Sequence, residues 1–400
     1  MTRASDPALV EEIFGRPSVG PLAGVVVADL SRVLAGPYCT MMLADLGALV
    51  IKVESPAGDD TRHWAPPYRD GEATYFLSVN RNKYSVALDF ADPEQLALVR
   101  AVVARADVLV QNFRPGALVK FGLDAETLRA QRPDLVYATI TGFGTGAGAR
   151  LPGYDLLAQA TSGLMDLTGP ADGEPTKAGV AIFDVIAGLH ALAGILAALH
   201  ERSRTGLGEH VEVDLLSSAL SGLVNQTSAY VAGGEVPHRM GNEHPSLYPY
   251  EPFPARDGEI VIAVGNDGQF VRLCECLQVS ELAEEARFRT MAARNTNRDE
   301  LRALLVERLS ARDASEWFEI LQAAGVPCAP ILGVDAGVGF ATELGLEPVV
   351  YAGSGPRQVP TVRQPIGLSR GQVDYSQAPP LLDGDRERVL RWLDRTEPLG

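Results

Sequence analysis

Two continuous apolar runs, Val25–Leu30 and Ala48–Val53, bracket a helical pattern that opens at Ala35-Gly-Pro37 and closes near Asp45-Leu-Gly47. Strands that are apolar at successive positions must be covered on both faces, and strand, helix and strand in about 30 residues predict a parallel βαβ unit. Pro37 stands near the first turn of that helix, where its missing N–H does no harm. The pattern then repeats. Ser85–Leu88 reads as a strand, Pro93–Arg105 as a helix, Val108–Val110 as a strand, Leu123–Ala130 as a helix and Leu135–Ile140 as a further buried strand. The fold class expected for this part of the chain is α/β, a doubly wound, Rossmann-like sheet. No Gly-x-Gly-x-x-Gly turn follows its first strand. The glycines of Gly142–Gly148 run into Arg150-Leu-Pro152 instead of a helix, so they predict a loop and no dinucleotide fingerprint.

Further along, a long helical pattern runs from Val185 to Arg202, followed by a turn at Ser203–Glu209, an alternating strand at His210–Asp214 and a helix over Leu215–Ala232. A stretch rich in proline and aromatics, Pro237–Pro254, separates these from a strand at Gly258–Val264. Helical patterns near Gly268–Leu277, Arg298–Arg312 and Ala314–Ala324 complete a smaller α+β domain, with Val326–Pro330 leading out of it. Four hundred residues exceed one simple core. The expected division is a large domain of residues 1–225 and 331–400 and a small one of 226–330. An amphipathic helix at Asp383–Arg395 is expected to pack back on the large domain.

A formal charge of −16 argues against a general binder of nucleic acid or of an anionic membrane, each of which requires a basic face. Of the 35 basic residues only Lys52, Lys83, Lys120 and Lys177 are lysines. Cys39, Cys274, Cys276 and Cys328 match no common zinc spacing, and the histidines show no metal-binding interval, so no metal is expected. Residues 1–17 lack the apolar centre of a secretory signal, and the apolar stretch Ala191–Leu199 is short for a bilayer. A cytoplasmic location without membrane attachment is the expectation.

One acid interrupts an apolar run, Ala178-Gly-Val-Ala-Ile-Phe-Asp184, just ahead of the long helix. A carboxylate among hydrophobes is costly unless something stabilises it or its reactivity is used. The plain reading is an N-cap, with free N–H groups and the helix dipole favouring the anion. The other reading is a catalytic carboxylate.

Several segments recur in order as they do in a known family: Asp29-Leu-Ser-Arg-Val-Leu-Ala-Gly-Pro37, Gly47-Ala-Leu-Val-Ile-Lys-Val-Glu54, Asp60-Thr-Arg62, Asn80-Arg-Asn-Lys83 with Leu88-Asp89, and Asn112-Phe-Arg-Pro-Gly116. Gly153-Tyr-Asp155, the Asp184 segment and Thr205-Gly-Leu-Gly-Glu-His-Val-Glu-Val213 continue the series. In these the chain resembles the class III CoA-transferases, the formyl-CoA transferase and carnitine CoA-transferase family, whose relatives include α-methylacyl-CoA racemases. The likeness runs from about Leu22 to the C-terminal helix.

The resemblance implies two domains, an interlocked homodimer, and Asp184 as a nucleophile that forms an anhydride and then an aspartyl-CoA thioester. It implies a coenzyme A thioester as co-substrate and no permanently bound cofactor. The positions implied to bind CoA are Arg32, Leu34, Ala35, Leu88, Asn112, Phe113, Arg114 and Lys120; Arg32, Arg114 and Lys120 suit phosphates by charge. Asn80–Lys83 reads equally as a simple turn. Gly265, Gly268 and Gln269 match a glycine loop that covers the aspartate in relatives, although Asn266 and Asp267 interrupt it here. Tyr154 stands where the racemases carry histidine, and a phenol is a poor proton acceptor at neutral pH, so transfer is favoured over racemisation. The Gly241–Tyr250 segment looks most like the branch that uses succinyl-CoA with dicarboxylic acids, with His238, Arg239 and His244 as candidates for a distal carboxylate.

Overall fold

The computed structural model describes residues 2–16 and 19–399. Six strands, β1 (Val26–Asp29), β2 (Leu49–Glu54), β3 (Lys83–Ala87), β4 (Val108–Gln111), β5 (Val136–Thr141) and β6 (His210–Asp214), make one sheet in the order β3-β2-β1-β4-β5-β6. Every neighbouring pair is parallel. The order reverses between β1 and β4, which opens a crevice at the carboxyl ends of those strands.

Side chains alternate across a strand, so each run feeds two cores. Val26, Ala28, Leu49, Ile51 and Val53 join one of them, under helices α1 (Pro7–Phe14) and α3 (Pro93–Val103). Val27, Val50, Val108 and Val110 join the other, under α2 (Ala35–Asp45) and the long α5 (Ile182–Thr205). Between α3 and α5 the chain forms α4 (Asp155–Ser162). By length and composition α5 could cross a bilayer, yet Phe183, Ala187, Ala191, Leu192, Ile195 and Ala198 lie in the second core. The C-terminal helix Arg386–Arg395 does return to the sheet: Val389, Trp392 and Leu393 enter the first core, and Trp392 Nε1 donates to the Ala4 carbonyl at 3.0 Å. The helix expected over 215–232 is two helices, α6 (Leu215–Gly222) and Asn225–Val231, separated at Val224, whose φ is +41°.

The Asn80–Lys83 segment is a buried clamp. Lys83 pairs with Asp29 at 3.1 Å, Arg81 with Asp45 at 2.6 Å, and Asn82 Nδ2 donates to the Asp374 carbonyl at 2.6 Å. Lys52 pairs with Asp59 at 3.0 Å. Two of the chain's four lysines are therefore spent inside the fold, where losing either partner would strand a charge.

The chain divides into two compact units, one of Met1–Leu164, Lys177–Glu235 and Glu347–Gly400, the other of Met165–Thr176 and Val236–Leu346. The limits thus differ from 225/226 and 330/331. Thr227 Oγ1 donates to the Leu220 carbonyl (2.8 Å), tying the helix after α6 to the larger unit. Phe340, on the helix Val334–Glu343, meets Phe318 at 6.4 Å, and Arg239 donates to the Asp166 carbonyl at 3.0 Å, so these segments go with the smaller unit. That unit carries an antiparallel sheet, β7 (Tyr250–Pro254), β8 (Glu259–Ala263) and β9 (Cys328–Pro330), packed on helices through Phe253, Ile260, Ile262, Phe270, Leu305 and Trp317.

Candidate active site

Asp184 is the third residue of α5 and not its cap; Ala181 holds the N-cap position and provides no side-chain bond. The cap is supplied from α4. Asp155 Oδ1 accepts the N–H groups of Phe183 (2.7 Å) and Asp184 (3.2 Å). The other oxygen of Asp155 accepts from Gln159 Nε2, and Gln159 Oε1 accepts the Ala178 N–H at 2.8 Å. The amides that the sequence reading assigned to stabilising Asp184 therefore serve a different carboxylate. Leu34, Met41 and Val79, with Tyr38, Tyr75, Ala181 and Val185, form an apolar cluster beside it. Burial, then the charge of Asp155, pushes the Asp184 carboxyl up to about 7. The same two carboxylates, after burial, help push the Tyr75 phenol up to about 12. The expectation that the N–H groups at the helix start favour the Asp184 anion is corrected by this geometry.

Asp184 opens into a cavity at the carboxyl ends of β1, β4 and β5. Its walls are Arg32–Ala35 after β1, Asn112–Pro115 after β4, Ile140–Gly142 at the end of β5, and Leu151–Tyr154 before α4. This is the switch point of the sheet, where such folds bind ligands. Two contacts bring the pieces together. A Cβ on Gly142 would lie 2.4 Å from Gly153 Cα, so only paired glycines let the end of β5 meet the turn that carries Tyr154 and Asp155. A Cβ on Gly188 would lie 2.7 Å from the Ala35 carbonyl oxygen, so α5 crosses the start of α2 there without a side chain between them.

The wall after β1 is held under strain. Val33 has φ +70°, an uncommon conformation for a β-branched residue. Its N–H donates to both oxygens of Asp59 at 3.2 Å, and Lys52 holds Asp59 from below. Asn112, one of the implied CoA contacts, has its side chain committed to the same wall: Oδ1 accepts the Arg32 N–H (3.0 Å) and Nδ2 donates to the Arg32 carbonyl (2.7 Å). The Arg32 guanidinium pairs with Asp60 at 3.2 Å in solvent. Arg114, in the wall segment after β4, is exposed.

Of the other residues implied to bind CoA, Leu34, Ala35 and Phe113 line the cavity. Leu88 does not; it is buried in the first core. Lys120 lies outside too, over the Phe121 ring at 4.7 Å. Phe90 bridges to it, meeting Phe113 at 6.2 Å and Phe121 at 5.4 Å, so an aromatic path leads from the cavity wall to that lysine. Tyr154 lines the cavity and is 60% exposed. No histidine is among the described residues of the wall.

Gly265, Gly268 and Gln269 belong to the smaller unit, at the start of α7 (Asp267–Cys276). Their turn is braced: Asn266 Oδ1 accepts the Gln269 N–H (2.9 Å), and Gln269 Oε1 accepts the Gly265 N–H (2.7 Å). Asp267 pairs with the buried Arg294 at 2.8 Å. A Cβ at Gly265 or Gly268 would meet nothing nearer than 3.5 Å, so the turn's own packing does not require glycine there. In the same unit His244 Nδ1 accepts the N–H groups of Ser246 and Leu247, which leaves the ring proton on Nε2 and gives the residue a turn-holding task.

Sequence reasoning missed Asp155 and Gln159 as partners of the Asp184 segment. The motif Gly153-Tyr-Asp155 was visible, but an interval of 28 residues to Phe183 carries no periodic signal. It also missed Asp59 as the support for Val33.

The model of CoA-transferase family III matches residues 22–386 of the chain. The chain is 40% identical over 393 residues to a succinate–glutarate CoA-transferase of Agrobacterium fabrum, covering 94% of this chain and 96% of that protein. It is 43% identical over 322 residues to a succinyl-CoA:mesaconate CoA-transferase of Haloarcula marismortui, covering 78% and 81%. Among solved structures, a CAIB/BAIF family protein from Brucella suis superposes with a TM-score of 0.84 at 43% identity, over 94% of this chain and 100% of that one.

Proposed function

The chain belongs to CoA-transferase family III, and from that premise we propose that it moves coenzyme A from succinyl-CoA to a second small dicarboxylic acid, with Asp184 as the covalent nucleophile. The observation that carries this is the partly buried Asp184 carboxylate opening on the switch-point cavity, whose other described acid, Asp60, is exposed, in a chain whose relatives bear the names of succinyl-CoA-dependent transferases. An Asp184 oxygen attacks the thioester carbonyl; the C–S bond breaks and CoA leaves as the thiolate, giving a mixed anhydride. The thiolate attacks the Asp184 carbonyl carbon and expels succinate, giving the aspartyl-CoA thioester. The acceptor carboxylate then attacks that thioester, expelling the CoA thiolate and giving a second mixed anhydride; the thiolate attacks the acceptor carbonyl of this anhydride and expels the Asp184 carboxylate. No water is consumed, so the thioester's free energy passes to the product.

Arg32 and Arg114 both line the cavity, are exposed, and supply charge for the phosphates of CoA. The Arg32–Asp60 pair is solvent-exposed, so exchanging it for a phosphate costs little. Phe113, Phe90 and Phe121 with Lys120 offer a path for the nucleotide end. We further propose that the working unit is an interlocked homodimer; exposed Leu189, Leu220, Val224, Tyr230 and Val231 support a self-association surface. Succinyl-CoA incubated with four- to six-carbon diacids and with monoacids, followed by mass spectrometry of the CoA esters, tests the substrate class. Transfer to diacids is expected; transfer to monoacids alone would refute it. Solvent deuterium entering an α-methylacyl-CoA without any acceptor would favour racemisation instead.

A further inference from the structure

Asp155 touches the Asp184 peptide but is offered to no substrate. It is buried, and its three accepted hydrogen bonds come from Phe183 N–H, Asp184 N–H and Gln159 Nε2. It thereby places a second negative charge at the same helix start as Asp184 and takes up the amides that would favour an anion there. The remaining neighbours of Asp184 do not offset this charge. Tyr75, from the helix Thr74–Val79, is a phenol, Tyr38 and Val185 are uncharged, Arg32 is paired with Asp60, and Arg114 is out in solvent.

We propose that Asp155 is a positioning residue that fixes the Asp184 backbone and makes the free Asp184 carboxylate the high-energy state of the cycle, so that each acylation of Asp184 relieves repulsion between the two. This rests on Asp184 being the nucleophile. Both covalent states, the anhydride and the aspartyl-CoA thioester, are uncharged at residue 184, whereas the free carboxylate is not. Electrostatic repulsion is thereby built into the resting site on folding and relieved as the O–C and S–C bonds form. The upward shift of the Asp184 carboxyl agrees with this arrangement.

The test is the pH profile of kcat/KM for the first half-reaction, read as CoA release from succinyl-CoA, in Asp155→Asn and Asp155→Ser. Asn keeps an acceptor for the two amides but meets the Gln159 amide with a donor; Ser is smaller and avoids that clash, so the two variants fail to fold for different reasons if they fail. For a nucleophile that titrates near 7, the rate at pH 5.5 relative to that at pH 8 is roughly one-thirtieth; lowering the midpoint by about one unit raises it to roughly one-quarter. That rise in either variant is the expected result. A uniform loss at every pH, with the midpoint unmoved, would show a purely structural cap and overturn the inference. Hydroxylamine trapping in the unaltered protein separates the two claims. If Asp184 is labelled and the profiles do not move, only the role of Asp155 fails; if Asp184 is not labelled, the nucleophile itself is wrong.

Discussion

Replacing Asp184 by asparagine should make the protein more stable at pH 8 and nearly unchanged at low pH, the reverse of what most buried substitutions do. The carboxyl titrates near 3.8 when free and is pushed up to about 7 in the fold, by burial first and then by Asp155. Because the folded-state value is the higher one, folding takes up a proton at this position. The group's contribution is complete below about pH 4 and is lost as pH rises through 7. At about 1.4 kcal/mol per pH unit, the full penalty of charging Asp184 is roughly 4 kcal/mol as an upper bound. Some solvent reaches the site from the cavity, so about 2 kcal/mol is a working value between pH 5 and pH 8. The assay is guanidinium unfolding of the parent and Asp184→Asn at pH 5, 6, 7 and 8, at one fixed protein concentration. The stability difference should widen in favour of asparagine as pH rises. A constant difference, or one that favours aspartate increasingly with pH, would refute the electrostatic picture of the site.

Three further outcomes follow from the same geometry. Gly153→Ala places a Cβ 2.9 Å from the Gly142 nitrogen and forces backbone to move; a loss of about 1–3 kcal/mol in urea unfolding is expected, together with slower CoA transfer. Asp59→Asn leaves the buried Lys52 without its ion-pair partner and leaves one oxygen in place of two to accept the Val33 N–H; a loss of roughly 3–5 kcal/mol in thermal or chemical unfolding is expected, and a near-neutral result would contradict the reading of the β1 wall. Arg114→Ala should raise KM for the acyl-CoA about 5- to 20-fold with little change in kcat, and the difference from the parent should shrink as salt is added.

The sheet was legible because its signals are local. Val25–Leu30 and Ala48–Val53 are apolar at successive positions, and burial on both faces of a parallel sheet demands that pattern. The C-terminal helix was legible from its one apolar stripe, which became Val389, Trp392 and Leu393 in the first core. Asp184 stood out as a lone charge in an apolar run, and its place on the cavity wall fits that signal. Its protonation state could not be read, because the group that sets it is an acid on another helix. Asn112 and Leu88 show the same limit from the other side. Both matched a binding pattern in sequence; in the fold Asn112 lines the cavity and also braces the Arg32 backbone, and Leu88 fills the core. The helix break at Val224 and the late return from the smaller unit depend on tertiary contacts such as Thr227 with Leu220 and Phe340 with Phe318, which leave no mark at helical or strand spacing.

The central claim, that Asp184 carries CoA covalently, is tested most directly by quenching the protein with hydroxylamine during turnover of succinyl-CoA and mapping the modified peptide by mass spectrometry. A hydroxamate on Asp184, absent without acyl-CoA and absent in Asp184→Asn, is the predicted result. Turnover that proceeds with Asp184 unmodified, or a label found on a different acid, would contradict it.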